Sequence, residues 1–114
     1  MKHTIDAQGK KIGRIASQAA HLLMGKDSAS FAKNVVSDNK VEIVNAGAAD
    51  VKAIKKTNHV YTTYTGHRGG LNKERLGELI DRRGMTEVLN RAIYRMLPNN
   101  KLRDRRMKNL VIKN

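Results

Sequence analysis

Between Tyr64 and Gly70 the chain reads Tyr64-Thr65-Gly66-His67-Arg68-Gly69-Gly70, with three glycines inside five residues. Glycine tolerates positive φ and lets a backbone approach a partner closely. His67 can stack, donate or move a proton, and Arg68 can grip a phosphate through two parallel N–H groups. The chemistry on offer is phosphate contact or acid–base work at a phosphodiester. A mobile surface loop would use the same glycines for flexibility alone. Arg68 and the many cations downstream favour nucleic-acid contact.

A second candidate is Gly9-Lys10-Lys11-Ile12-Gly13-Arg14, a turn between an expected strand and an expected helix. Free amides and the positive end of the helix dipole suit a phosphate there. Lys11 occupies the place where a dinucleotide fingerprint needs glycine, and Gly25-Lys26-Asp27 lacks the rest of a phosphate loop. RNA-phosphate contact and a plain turn with solvated lysines both remain open for Lys10, Lys11 and Arg14. Lys55 and Lys56 add cations in a stretch, 47–56, whose local structure is ambiguous. Arg91 and Arg95 stand one turn apart on a helix face. They lead into Lys101, Arg103, Arg105, Arg106 and Lys108, with Asp104 as the only acid among them. A helix over 101–108 would be cationic around most of its girth and would need a polyanion or a packed neighbour. Such charge is spread and electrostatic, so loss of Arg106 alone is expected to matter little.

Catalysis finds little support. His3, His21, His59 and His67 lack metal-motif spacing, and the chain has no Cys to complete a site. No Gly-x-Ser-x-Gly elbow surrounds a serine. His21 lies on or beside an apolar helix face and reads as a core-edge residue. A small RNA-processing enzyme using His67 is the alternative function, but no second proton-transfer group is evident beside it.

The charge is the broadest clue. Residues 1–50 hold seven Lys and Arg against five Asp and Glu, and residues 51–114 hold sixteen against five, giving +2 and +11 of the total +13. A small chain so charged repels itself unless a polyanion meets it. With 114 residues there is room for one domain spanning 1–114, and an apolar fraction of 39% supports a modest core. No apolar run approaches the roughly 20 residues of a membrane span. The start, Met1-Lys2-His3-Thr4-Ile5-Asp6, shows no signal or transit pattern, so a cytoplasmic protein is expected. A membrane-surface protein is a third reading, but the helix over 86–97 has only Tyr94 as a bulky aromatic, at the margin of its apolar face.

The positioning elements follow from periodicity. Residues 3–7 predict a short strand, and Ile12, Ile15, Ala16, Ala19, Leu22 and Leu23 predict a helix ending at Gly25. Residues 26–34 read as a loop, and Val41-Glu42-Ile43-Val44 as a strand entered through Ser37-Asp38-Asn39. Strand, helix, strand implies a parallel pair. His59-Val60-Tyr61-Thr62-Thr63-Tyr64 predicts a further strand, and a helix is expected from an Asn72 cap to Gly84. Residues 86–97 predict an amphipathic helix ended by Pro98, and Leu110-Val111-Ile112 a closing strand or apolar anchor.

The order of these motifs carries a family resemblance. Asp6-Ala7-x-Gly9-Lys10-x-Ile12-Gly13-Arg14-Ile15-Ala16 is followed by Val44-Asn45-Ala46, by Tyr64-Thr65-Gly66-His67-Arg68-Gly69-Gly70, and by Met96-Leu97-Pro98-Asn99. Over nearly its whole length the chain resembles large-subunit ribosomal proteins of the L-thirteen family in their bacterial form. It departs from them in lacking a longer arm with a Trp before the first strand, and in having Arg95 where a glycine is usual. Leu102-Arg103-Asp104 stands for the usual Leu-Gly-Arg, and the extension to Asn114 is short. The resemblance implies a compact α/β/α domain of three layers around a small, mainly parallel sheet, followed here by the basic C-terminal helical segment. It implies a structural, non-enzymatic role on large-subunit (23S-type) rRNA beside neighbouring ribosomal proteins, without a small-molecule substrate. The RNA-contacting set expected from residues and resemblance together is Lys10, Lys11, Arg14, Lys55, Lys56, Tyr64, Thr65, Gly66, His67, Arg68, Gly69, Gly70, Arg91, Arg95, Lys101, Arg103, Arg105, Arg106 and Lys108. No catalytic residue, metal or cofactor is expected.

Overall fold

Short β-branched strands separated by an amphipathic helix pair in parallel, because the helix carries the chain back across the sheet. The computed structural model describes residues 2–114 and realises this pattern. In chain order it holds β1 (Lys2–Asp6), α1 (Ile12–Met24), β2 (Lys40–Val44), a 3-10 turn (Ala46–Ala48), α2 (Ala53–Asn58) and β3 (Val60–Tyr64). Then come β4 (Leu71–Arg75), α3 (Leu76–Arg83), α4 (Met85–Met96), α5 (Leu102–Met107) and β5 (Leu110–Ile112). β2 is the central strand of a three-stranded sheet, parallel to β1 on one side and to β5 on the other. The expected α/β class, parallel pair and closing strand are all present.

Ile5, Val41 and Ile43 lie buried on the strands, and Ile15, Ala16, Ala19 and Leu23 form the buried face of α1. α1 packs along α4, whose Val88, Leu89 and Ile93 join the same core with Leu76 and Leu79 of α3. Each fully buried Leu or Ile there contributes roughly 1.5–3 kcal/mol of transfer free energy. Glu42, on the central strand, ties the sheet edges together by accepting from Lys2, at 2.7 Å, and from Lys113 just beyond β5.

Residues 71–75 differ from expectation. They form strand β4, antiparallel to β3 with Tyr64 opposite Leu71 and Val60 opposite Arg75, so Asn72 caps no helix. Gly66 and Gly69, at φ +88° and +72°, turn the chain back on itself. The Gly70 amide donates to the His67 carbonyl at 3.0 Å, and the Thr65 amide to the Gly70 carbonyl at 3.2 Å. Helix α3 starts only after this hairpin, with the Arg75 amide donating to the Glu78 carboxylate at 3.2 Å. Pairing with β3 overrides the helical composition of the segment. Gly84, at φ +82°, breaks α3 from α4, as its place in the sequence predicts.

Two further corrections fall on the basic C-terminal segment and on α1. Arg106 is not on the surface but 1% exposed, and one of its Nη atoms donates to the Lys33 carbonyl at 3.4 Å. Helix α5 is therefore not cationic all round: it seats Arg106 inside and packs against α1. His21 is exposed rather than at the core edge. The ambiguous stretch 47–56 resolves into the end of the 3-10 turn and the start of α2.

Candidate nucleic-acid interface

The carboxyl ends of β1 and β2 hold the first resemblance motif in place. Asp6 accepts from the Gln8 amide at 3.0 Å and from Asn45 Nδ2 at 3.1 Å. These bonds, led by the Gln8 amide, hold its carboxyl below the usual carboxylate range. Asn45 adopts the left-handed conformation, at φ 58°, that aims its amide at Asp6. The Gly9 amide donates to the Ala48 carbonyl at 3.0 Å, and the Asp50 amide to the Lys10 carbonyl at 2.9 Å. Asp6, Gly9 and Asn45 are thus scaffold. They place Lys10, Lys11 and Arg14, all exposed, at the start of α1.

Beside that turn lies a concave surface built from α1, α2, β3 and α4. Its centre is Tyr61, whose ring is 7% exposed and faces inward from β3. The guanidinium carbons of Arg91 and Arg95 stand 5.2 and 5.3 Å from the ring centroid, one helical turn apart. The His59 ring meets Tyr61 edge-on at 4.8 Å. Burial pushes the Tyr61 phenol up, against the pull of Arg95 and Arg91, so it remains a neutral hydroxyl at physiological pH. A cavity of about 250 Å³ opens over this cluster, with Lys55, His59, Arg91 and Arg95 among its lining residues. A neighbouring hollow that also touches Lys55 and His59 adds Lys11 and Lys52. The acids close by are Asp50, in that hollow, Glu87, which pairs with Arg91 at 3.1 Å, and Glu74, which lines a further hollow with Tyr61 and Arg91 and pairs with Arg82 at 2.7 Å.

The sequence-derived residues therefore fall into three places. Lys55, Arg91 and Arg95 converge around Tyr61, Lys11 lines the neighbouring hollow with Lys55, and Lys10, Arg14 and Lys56 are exposed close by in the chain. Residues 65–70 close the tip of the hairpin and line none of that cavity. There His67, Arg68 and Gly69 are exposed, and Tyr64 is 65% exposed on the face opposite Tyr61. A Cβ on Gly70 would collide with the Thr65 side chain, whereas Gly66 and Gly69 face open space. Arg105 on α5, and Lys101 and Lys108 at its two ends, are exposed. Arg103 stacks 3.8 Å over the Tyr94 ring and donates to its hydroxyl at 2.8 Å.

Lys52, His59, Tyr61, Lys73 and Arg75 lie outside the set expected from the sequence. In the sequence His59 and Tyr61 show only strand propensity, because the arginines that meet Tyr61 are brought to it by packing. Lys73 and Arg75 were assigned to a helix and sit instead on the hairpin, exposed. Among the described residues, no three His, Asp or Glu approach closely enough to hold a metal ion. No helix is long and apolar enough to cross a membrane.

Residues 1–112 match the ribosomal protein L13 family. The chain belongs to that family. Relatives named large ribosomal subunit protein uL13 from Brucella suis and Brucella abortus are 39% identical over 106 residues. The match covers 93% of this chain and 69% of each relative. The uL13 of Brucella anthropi is 38% identical over the same length. As a member of a large-subunit ribosomal protein family, the chain is a structural component of translation and not an enzyme. The alternative of an RNA-processing enzyme built on His67 is thereby set aside.

Proposed function

We propose that this chain binds and stabilises large-subunit, 23S-type rRNA during assembly and translation, acting as one domain over residues 1–114. It would work in the cytoplasm, within the large subunit and beside other ribosomal proteins. The observation that carries this is the convergence of Lys55, Arg91 and Arg95 on Tyr61, with Lys11 and Lys52 in the adjoining hollow and Asp50, Glu74 and Glu87 as the acids beside them. Cations so crowded repel one another unless phosphates share the surface, and each phosphate neutralised releases counterions. The hairpin tip would form a second contact, where Tyr64 offers a stacking face and Arg68 a bidentate donor. The cations of α5 other than Arg106 would form a third.

Binding to a fragment of large-subunit rRNA, measured across a salt series, tests this. The affinity should fall steeply with salt. Substituting Lys11→Gln, Lys55→Gln and Arg95→Gln together should flatten the log–log slope by roughly 2–3, given about 0.7–0.9 per phosphate contact. An affinity indifferent to salt would argue for a protein or small-molecule partner instead.

A further inference from the structure

We propose that the cavity over Tyr61 receives an unpaired nucleotide of the bound RNA, its base inside and its phosphate on the rim. This rests on the RNA-binding reading above and gives the site a more specific occupant. A surface that touched phosphates alone would need only exposed cations. Here the floor is apolar, made by Ile12, Leu76, Val88, Ala92 and Met96, and the cations stand around it. That division matches a nucleotide, whose base has two apolar faces and whose phosphate carries the charge. RNA single strands splay such bases out, and proteins hold them on aromatic rings and guanidinium planes. The platforms are the guanidinium planes of Arg91 and Arg95, which the 7%-exposed Tyr61 ring backs and, for Arg91, Glu87 orients. Met96 is 43% exposed at the edge and offers a polarizable thioether to a ring.

Gly13 supplies a separate observation. It forms part of the cavity wall inside α1, at ordinary helical φ, and no atom beyond its own stretch of helix lies within 4 Å of where its Cβ would be. Nothing in the protein itself therefore excludes a side chain there. Glycine weakens a helix relative to alanine, so the vacant wall is better explained by an occupant than by packing.

The test compares three probes: a ten-nucleotide oligoadenylate, an abasic ribose-phosphate oligomer of equal length, and a short RNA duplex. The unaltered protein should bind oligoadenylate roughly five- to hundredfold tighter than the abasic chain, the range expected for one stacked base. Gly13→Leu and Ala92→Leu, each made in a Tyr64→Ala background that removes the stacking face of the hairpin, fill the cavity without changing charge. Each should erase that preference while leaving the abasic and duplex affinities unchanged. Equal binding of oligoadenylate and abasic chain by the unaltered protein would overturn the inference, as would a preference that survives both fillings. In either case retained salt-dependent binding would leave the RNA-binding reading standing. Failure of all three probes at low salt would defeat that reading and the inference with it. If the variants do not fold, photocrosslinking of a 4-thiouridine oligomer to the unaltered protein decides the matter. Crosslinks at His59, Tyr61 or Met96 support the pocket, and crosslinks confined to other residues overturn it.

Discussion

Arg106 brings a guanidinium into the interior, where, among the described residues, its Nε has no hydrogen-bond partner and its bond to the Lys33 carbonyl is 3.4 Å long. A buried charge so poorly matched contributes little net stability, and an apolar side chain of similar length often does as well or better. Its volume still fills the space between α5 and the 31–37 loop. Arg106→Met should therefore hold or raise the melting temperature, whereas Arg106→Ala should cost about 2–4 kcal/mol by leaving a cavity. A chemical-denaturation series on both variants checks this, and equal losses would show that the charge itself is required. The sequence placed Arg106 with its exposed neighbours because charge alone was visible there, and 3.6-residue periodicity over six residues is too short to reveal which side faces in. Tyr61 was hidden for the converse reason. Its role comes from Arg91 and Arg95, thirty or more positions away, and only packing brings them together.

At the level of elements, the long periodic segments could be read directly. α1 and α4 begin and end within a residue or so of expectation, because their apolar stripes run over three turns or more. β4 could not, since Leu71-Asn72-Lys73-Glu74-Arg75 has neither alternation nor β-branched residues. Its strand state comes from the glycine turn before it and the partner strand beside it. In the parallel sheet, the carboxyl of Glu42 is drawn from its ordinary value of 4.5 to about 2, first by Lys113 and then by Lys2. A lowered carboxylate stabilises the fold above its unfolded pKa and loses that contribution as pH falls through the folded one. The Glu42 contribution is therefore present above about pH 4.5 and lost progressively toward pH 2. Asp6 and Glu74 are also lowered and contribute to the same acid limb. Melting temperatures from pH 7 to 2 should show Glu42→Gln less stable at neutrality and converging on the unaltered protein in acid. A constant difference at every pH would exclude a role for the ionised pair.

The whole molecule is flattened, 45 × 36 × 18 Å along its principal axes, with a radius of gyration of 15.1 Å. A compact chain of this length would have about 13 Å. The flat shape leaves more surface per residue, which suits contact with an extended polyanion better than burial around a small ligand. Ion pairing within the protein offsets little of the charge: among the described residues, Lys2, Lys113, Arg82 and Arg91 are the only Lys and Arg within 4 Å of a side-chain carboxylate. The sequence showed the sign and the location of this charge and the family that carries it. It could not show that cations from α2 and α4 share one hollow, because that depends on how the helices pack. The most direct measurement is sedimentation of tagged protein through a gradient of cell lysate at moderate salt, comparing the unaltered chain with a Lys55→Glu, Arg95→Glu variant of confirmed fold. The unaltered protein should travel with the large ribosomal subunit, and the variant should remain near the top. A folded variant that travels with the subunit as fully as the unaltered protein would contradict the assignment of this hollow to rRNA.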